Sequence, residues 1–343
     1  MADWNLLEKL CTARGISGRE DEIRALILKE IKSCADEIKI TPLGNIVAFK
    51  AGKQHPNTKL MISAHMDEVG LIVTHVTDEG LLKFETVGGI DRRILPGKSV
   101  TVEDGISGVI GVKPIHLLEK DQISKSVPLK DLYIDIGASS REEAESCVKP
   151  GDMVTFDSYF DRQGGMVMSK ALDDRAGCAL LIGMMKAQLK YDTVFVFAVQ
   201  EEIGLKGART AAFSVAPQAA IVVESTTAAD VPGVEEDRQV CRLGKGPVIS
   251  FMDKGTIYDR EYYQLAFQAA EKAGVPCQAK QAVAGGNDAA AIHVSRAGVR
   301  TAAVSLPCRY LHAPFGMIAQ EDYCSTGQLL IQYAEMIEER NAT

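Results

Sequence analysis

TVFVFAVQEEIGLKGAR, residues 193–209, joins a strand pattern directly to a helix pattern. Its apolar run predicts a buried strand, and the residues after Gly204 predict a helix. Between the two stand Glu201 and Glu202, adjacent carboxylates that repel each other and resist dehydration. If these side chains are buried, their charge must be balanced, and a metal ion would do so.

The same alternation of strands and helices extends over the chain after residue 165. The predicted strands there are TVFVFAVQ, AAIVVE, CQAKQAV and RTAAVSLP. The predicted helices are DDRAGCALLIGMMKAQLK, a segment around GLKGARTAAF, REYYQLAFQAAEKAG, NDAAAIHVSRAG and a C-terminal helix from about residue 320. Near the N-terminus, Ser17 and Glu20 have capping-box spacing and predict a further helix start. This alternation predicts an α/β fold with a mostly parallel sheet flanked by helices.

Residues 69–164 show a different pattern, with short strand-like runs separated by Gly and Pro. Closely spaced strands of this kind predict a small all-β barrel or sandwich. Only one helix is expected in this stretch, beginning near Ser140 and Glu143, which have capping-box spacing. The simplest organisation is an α/β domain of residues 1–68 and 165–343, interrupted by an inserted β-rich domain.

The composition argues against several classes of protein. Of 343 residues, 46% are hydrophobic and 24% charged, as in soluble globular proteins of about two domains. A net charge of −8 without a cluster of Lys or Arg argues against nucleic acid or an anionic membrane as partner. No apolar run approaches the ~20 residues of a membrane span, and no signal-peptide pattern is seen, so we expect a cytoplasmic protein. The eight cysteines form no CxxC pair and are expected to be reduced.

Ionisable residues follow most predicted strands of the α/β domain. Ligands of open α/β sheets bind outside the carboxyl ends of the strands, so these residues mark a candidate site. They are His65, Asp67, Glu201, Glu202, Glu224 and His312, together with Asp173 and Asp174 where the chain re-enters the domain. Imidazoles and carboxylates in combination suit Zn²⁺, Co²⁺ or Mn²⁺. Two such ions, about 3.5–4 Å apart and bridged by a carboxylate, would use all of these groups.

Two residue pairs suggest how roles are divided. His65 and Asp67 lie two positions apart, so His65 can bind metal while Asp67 orients it or a neighbour. Of Glu201 and Glu202, one can bind an ion while the other stays free, beside a metal-bound water, as a general base. The alternative interpretation is a solvated acidic turn at a helix start. Surface or core positions are expected for His55, His75, His116 and His293.

The order HxD, LDDR, EE, VxE and RYxH resembles the tetrahedral aminopeptidases, family 42 of the metallopeptidases, a group also known as glutamyl aminopeptidases and by older labels as cellulases. Segments in family order span nearly the whole chain: SAHMDEVG, ALDDRAG, QEEIGLKGA, TTAADVPG, GGNDAAAIH and PCRYLHAP. Asn287 and Cys308 depart from the family pattern, which has Thr and, by our expectation, Ser or Thr at these places. The resemblance implies a zinc-peptidase-like catalytic domain and a β insertion that makes dimer contacts, with dimers assembling into a tetrahedral dodecamer.

The resemblance also implies the site. The implied ligands form two overlapping sets: His65, Asp173 and Glu224 for one ion, and Asp173, Glu202 and His312 for the other, with Asp173 bridging. Glu201 would be the general base, and Asp67 the carboxylate behind His65. Asp174 and Arg175 would be supporting residues.

The leading hypothesis is a metal-dependent aminopeptidase that removes N-terminal residues from peptides. Two divalent ions per subunit are implied, Zn²⁺ or Co²⁺ foremost and Mn²⁺ as an option, with a bridging water that Glu201 deprotonates. The alternatives are a related dinuclear-metal deacylase or carboxypeptidase, and a metal-independent glycoside hydrolase that uses a carboxylate pair. The preferred first residue stays open between acidic, basic and aliphatic. Arg300 and Arg309, near the last strand, are candidates for binding an acidic side chain.

Overall fold

The central strands of the main sheet are parallel and buried, apart from the terminal residues Thr227 and Arg300. The computed structural model describes residues 2–341, apart from the side chain of residue 122. Its strands are β1 (Glu37–Ile40), β2 (Ile46–Lys50), β3 (Leu60–His65), β4 (Gly70–Val76), β5 (Leu82–Val87), β6 (Ser99–Val102), β7 (Ile106–Gly111), β8 (Tyr133–Asp135), β9 (Met153–Phe156), β10 (Asp161–Gln163), β11 (Met166–Ser169), β12 (Thr193–Ala198), β13 (Ala219–Thr227), β14 (Val248–Ile249), β15 (Gln278–Ala279), β16 (Arg300–Cys308) and β17 (Gly316–Ala319). The main sheet has the order β1-β2-β12-β3-β13-β16-β14-β15. Strands β12, β3, β13 and β16 are parallel, whereas β2 and β14 join them in antiparallel pairs.

Helices cover both faces of this sheet. They are α1 (Trp4–Thr12), α2 (Asp21–Ile31), α3 (Lys120–Ile123), α4 (Arg141–Glu145), α5 (Leu172–Lys186), α6 (Lys206–Val215), α7 (Arg260–Ala273), α8 (Ala289–Ile292) and α9 (Gln320–Asn341). On β12, Phe195 and Phe197 pack in one core cluster with α1, α2, α5, α7 and α9. Val194 and Val196 pack on the opposite face with α6 and α8. Successive side chains of a strand point to opposite faces, so this strand is apolar throughout, and the predicted α/β architecture is confirmed.

The inserted segment forms a closed antiparallel barrel with the strand order β4-β5-β8-β7-β6-β9. The barrel has a separate core, which includes the fully buried Leu71, Val100 and Ile134. The predicted all-β barrel is therefore confirmed, and its strands lie within residues 70–156. Strands β10, β11 and β17 form a small antiparallel sheet outside the barrel.

Helix starts follow the sequence prediction in one case and depart from it in another. At α4, the Ser140 hydroxyl accepts a hydrogen bond from the Glu143 N–H at 3.3 Å, as its capping-box spacing predicts. At α2 the helix is present but the capping box is not, because the Ser17 hydroxyl instead donates to Asp67 Oδ2 at 2.5 Å. The expectation of a single helix in the insertion was wrong, since the short α3 also forms.

Two predicted elements near residue 285 are much shorter than expected. The predicted strand CQAKQAV is reduced to the two residues of β15, and the predicted helix NDAAAIHVSRAG to the four of α8. Gly285 has φ +63°, which turns the chain between them. Beyond α8, Arg296 has φ +52°, a left-handed conformation that a helix does not continue. Within residues 2–341, no helix is long and apolar enough to cross a membrane.

Candidate metal centre

The parallel strands bring the predicted site residues to one rim of the sheet. His65 is the last residue of β3, and Glu201 and Glu202 follow the neighbouring strand β12. Glu224 lies in the second half of β13, and His312 follows β16. With Asp67, Asp173 and Asp174 these residues form the rim cluster: His65, Asp67, Asp173, Asp174, Glu201, Glu202, Glu224 and His312.

Asp173 lies between the two imidazoles of the rim cluster. Its Oδ1 is 3.3 Å from His65 Nε2, and its Oδ2 is 3.4 Å from His312 Nε2. Each imidazole also faces a glutamate: His65 Nε2 is 3.4 Å from Glu224 Oε1, and His312 Nε2 is 3.2 Å from Glu202 Oε2. Asp173 is therefore close to both imidazoles, and each imidazole is close to one of the glutamates in the implied ligand sets.

The orientation of both imidazoles is fixed by main-chain carbonyl groups. His65 Nδ1 lies 3.0 Å from the Asp67 carbonyl oxygen, and His312 Nδ1 lies 3.0 Å from the Gly89 carbonyl oxygen. A carbonyl oxygen only accepts hydrogen bonds, so Nδ1 carries the hydrogen in each ring. In a neutral ring, Nε2 would direct a lone pair at carboxylate oxygens, so either a proton on Nε2 or a metal ion has to lie between them.

The donor set fits a divalent metal ion. Metal–ligand bonds of about 2.0–2.1 Å at tetrahedral angles place neighbouring ligand atoms about 3.3 Å apart, close to the four nitrogen–oxygen separations observed. Ligand atoms lie within 4.8 Å of one another in two groups, His65 with Asp173 and Glu202, and His65 with Asp174 and Glu224. Both groups differ by one residue from the ligand set that the resemblance implies for His65. Asp174 Oδ2 is buried and has no hydrogen-bond partner among the described residues. A buried, unpartnered carboxylate oxygen is costly unless a cation is nearby.

The electrostatics of the rim cluster reflect an excess of negative charge. Burial raises the pKa of Glu201 to about 7. Burial and then the charge of Asp173 raise the pKa of Glu202 to about 8. Burial would lower the pKa of His312, but Asp173 and Glu202 outweigh it and raise the value to about 9. The cluster therefore holds protons unless a metal ion replaces them.

The Asp67 side chain binds the main chain of Glu201 and Glu202. Its Oδ1 accepts a hydrogen bond from the Glu201 N–H at 3.0 Å, and its Oδ2 accepts one from the Glu202 N–H at 3.2 Å. The Asp67 carboxylate is 3.6 Å from His65 Nδ1, which is beyond hydrogen-bond distance. The Asp67 side chain thus fixes the backbone at Glu201 and Glu202, and the main-chain carbonyl group of Asp67 orients His65.

A buried ionic group supports the start of α5, just before Asp173. Lys170 Nζ is 2.7 Å from Glu68 Oε1 and donates to the Ala13 carbonyl oxygen at 2.8 Å. Arg175, fully buried, donates to the carbonyl oxygen of Leu10 at 2.7 Å. Sequence reasoning identified Arg175 but not Lys170 or Glu68, whose partners come from distant parts of the chain.

The remaining candidates lie apart from the rim cluster. His55, His75 and His116 are exposed. His293 Nδ1 lies 2.8 Å from the Ala289 carbonyl oxygen. Arg300 is paired with Asp259 at 2.8 Å. Arg309 is paired with Asp230 at 2.6 Å. Neither arginine lines the cavity beside the rim cluster.

That cavity has a volume of about 430 Å³ and opens directly onto the rim cluster. His65, Glu201 and Glu224 form part of its wall, and Lys280 and Asn287 another part. Asn287 is held by Tyr258, whose hydroxyl accepts a hydrogen bond from Asn287 Nδ2 at 3.1 Å. The cavity offers room for a small organic group next to the metal-binding atoms.

Comparison with known proteins covers almost the whole chain. Residues 44–329 match the family model described as M42 glutamyl aminopeptidase. A lysyl aminopeptidase of Pyrococcus furiosus is 35% identical over 340 residues, which are 96% of each chain. A TET aminopeptidase structure from a marine sediment archaeon of the Thaumarchaeota has a TM-score of 0.94 and 33% identity, covering 99% of this chain and 98% of that one. The TET1 peptidase of Pyrococcus horikoshii, described as able to assemble into a tetrahedron or a large octahedral shell, has a TM-score of 0.85 and 38% identity, covering 96% of this chain and 98% of that one.

Proposed function

The chain belongs to the M42 glutamyl aminopeptidase family of metal-dependent peptidases, and we propose that it removes N-terminal residues from peptides at a centre of two divalent metal ions. His65, Asp173 and Glu224 would hold one ion, and Asp173, Glu202 and His312 the other. The observation that carries this proposal is the position of Asp173, with one carboxylate oxygen 3.3 Å from His65 Nε2 and the other 3.4 Å from His312 Nε2. A carboxylate whose two oxygens face different ligand groups is placed to bridge two neighbouring ions.

When bound, Zn²⁺ or Co²⁺ would acidify water and polarise the scissile carbonyl group. Glu201 would then act as the general base: it lines the cavity, and its Oε2 lies 4.0 Å from His65 Nε2, farther than the proposed ligands. In the metal-free protein, burial raises the pKa of this carboxyl group to about 7. A buried carboxylate of this kind is a stronger base than an exposed one, and it would take up a proton from the attacking water and pass it to the leaving amine. The hydrogen bond from its N–H to Asp67 holds it in place.

Metal removal distinguishes this function from a metal-independent glycosidase. Elemental analysis of protein never exposed to chelator should find divalent metal, and EDTA should abolish cleavage of aminoacyl-p-nitroanilides, which Co²⁺ or Zn²⁺ should restore. Activity that survives EDTA would favour the glycosidase. Cleavage of N-acyl amino acids in place of aminoacyl substrates would favour the deacylase or carboxypeptidase.

We also propose that the inserted barrel, within residues 69–164, mediates assembly into dimers and then into a tetrahedral dodecamer. Exposed apolar side chains on the insertion support this, with Ile115 69% and Leu117 54% accessible in the single chain. The TET1 peptidase of Pyrococcus horikoshii is described as able to assemble into a tetrahedron or a large octahedral shell. Native mass spectrometry tests the proposal, and a purely monomeric protein would contradict it.

A further inference from the structure

Lys280 is a buried lysine without a carboxylate partner. Its exposed fraction is 5%, and its Nζ donates to the Ala284 carbonyl oxygen at 2.7 Å. Among residues 2–341, no carboxylate oxygen lies within 4.0 Å of this nitrogen. The other buried lysine, Lys170, is paired with Glu68 at 2.7 Å. An ammonium group has three N–H donors, so Lys280 has donors left for a ligand.

Lys280 lines the cavity beside the rim cluster, and it is the only lysine or arginine among the described residues of the cavity wall. Its neighbours Gly285 and Gly286 carry no side chain that could fill the adjacent space. The wall also contains Asp91, but Arg93 holds that carboxylate in an exposed ion pair. A substrate side chain that enters the cavity therefore meets one buried positive charge outside the metal-binding residues.

We propose that Lys280 binds the carboxylate of an acidic first residue, so that the enzyme prefers peptides that begin with glutamate or aspartate. This inference rests on the proposed aminopeptidase function. Family membership does not decide the matter, because the family description names glutamyl substrates while the Pyrococcus furiosus relative is named a lysyl aminopeptidase. An incoming carboxylate would pair a buried charge and form a charge-assisted hydrogen bond. A basic first residue would be repelled by the same ammonium group.

Glutamyl- and glutaminyl-p-nitroanilide are the sharpest substrate pair, since their side chains match in shape and differ in charge. With cobalt-loaded wild-type protein, we expect kcat/KM to favour the glutamyl substrate by about 10- to 100-fold, the range of one hydrogen bond between charged groups. Leucyl and lysyl substrates complete the panel. If glutaminyl, leucyl or lysyl substrates are cleaved as well as the glutamyl one, the inference is overturned and the aminopeptidase function stands. If none is cleaved, the proposed function fails, and the inference with it.

Two variants separate specificity from a structural role of Lys280. Lys280→Met should lower kcat/KM for the glutamyl substrate by about 10- to 100-fold and leave the glutaminyl and leucyl values within about threefold. Lys280→Arg retains the charge and should retain the preference for the glutamyl substrate. A matched control is Lys254→Met, which alters an exposed lysine outside the cavity wall whose main-chain N–H donates to the Gly285 carbonyl oxygen. An equal loss on all substrates in Lys280→Met would show that Lys280 only supports the Ala284 loop, and would overturn the inference.

Discussion

The carboxylate of Asp67 accepts a hydrogen bond from the main-chain N–H of Glu201 at 3.0 Å. The segment directly after β3, the strand that ends in the proposed metal ligand His65, thus also positions the proposed general base, which follows the neighbouring strand β12. Asp67→Asn replaces one accepting oxygen by a donor that faces the N–H or hydroxyl donors of its partners. We expect about a 10- to 100-fold loss of metal affinity or kcat/KM, measured by metal titration and initial rates. Ser17→Ala removes only one hydrogen bond to the same carboxylate and should have a smaller effect; equal effects would contradict this account.

Glu201→Gln should separate metal binding from turnover. The amide keeps the shape of the side chain but cannot accept the proton of the attacking water, so we expect kcat to fall by about 10²- to 10⁴-fold. Metal content, measured by elemental analysis, should stay at the wild-type level. Glu202→Gln is the matched control, since it alters the adjacent residue and should reduce the metal content. Loss of metal in Glu201→Gln with full retention in Glu202→Gln would reverse the two assigned roles.

Metal binding should release protons near neutral pH. In the metal-free protein, the pKa of His312 is raised to about 9, so at pH 7 this imidazole carries a proton that an incoming ion must displace. The apparent affinity should therefore rise as the pH increases from 6 toward about 9. Calorimetric titration in buffers of different ionisation enthalpy measures the number of protons released. Binding enthalpies that do not vary with the buffer would contradict the prediction.

Glu20 should make the folded state less stable as the pH rises. Burial raises its pKa to about 7, although the N–H groups of Gly18 and Gln200 donate to it at 2.6 and 3.2 Å. The folded-state pKa lies above the unfolded value. The contribution of Glu20 to the free energy of unfolding is therefore complete below about pH 4.5, and it is lost as the pH rises through about 7. In Glu20→Gln the loss should disappear, a difference of up to about 3 kcal/mol in the free energy of unfolding.

Urea denaturation of the metal-free protein at pH 5 and pH 8, at one protein concentration, measures this difference. Glu22→Gln, an exposed change on the same helix, serves as the control. If the wild type and Glu20→Gln lose stability in parallel over this range, the buried Glu20 carboxyl group is not the cause.

The parts of the fold that the sequence predicts best are those with a uniform environment. Strands β3, β12, β13 and β16 are buried on both faces, so each appears as a mostly apolar run, and the alternating helices place these runs in one parallel sheet. Local spacing was less reliable. Ser17 and Glu20 have the spacing of a capping box, yet tertiary contacts recruit both side chains to the base of the site instead.

In the candidate site, too, some residues could be predicted from the sequence, whereas those set by tertiary contacts could not. The rim residues could be predicted because the carboxyl ends of parallel strands lie at one edge of the sheet. Residues that follow predicted strands in the sequence are therefore expected to come together there. The residues that orient or complement them could not. Gly89 contributes only a carbonyl oxygen from the barrel, and Lys280 lies in a segment that the sequence indicates as an ordinary strand. Their partners are far away in sequence, so no local pattern marks them.

The hydrogen bond between His312 and the Gly89 carbonyl oxygen connects the insertion directly to a proposed metal ligand of the main domain. A shortened chain without the insertion would lose the proposed surface for self-association and also the carbonyl oxygen that sets the tautomer of His312. The short connection after β5 that carries Gly89 therefore has to keep its path for this contact to form.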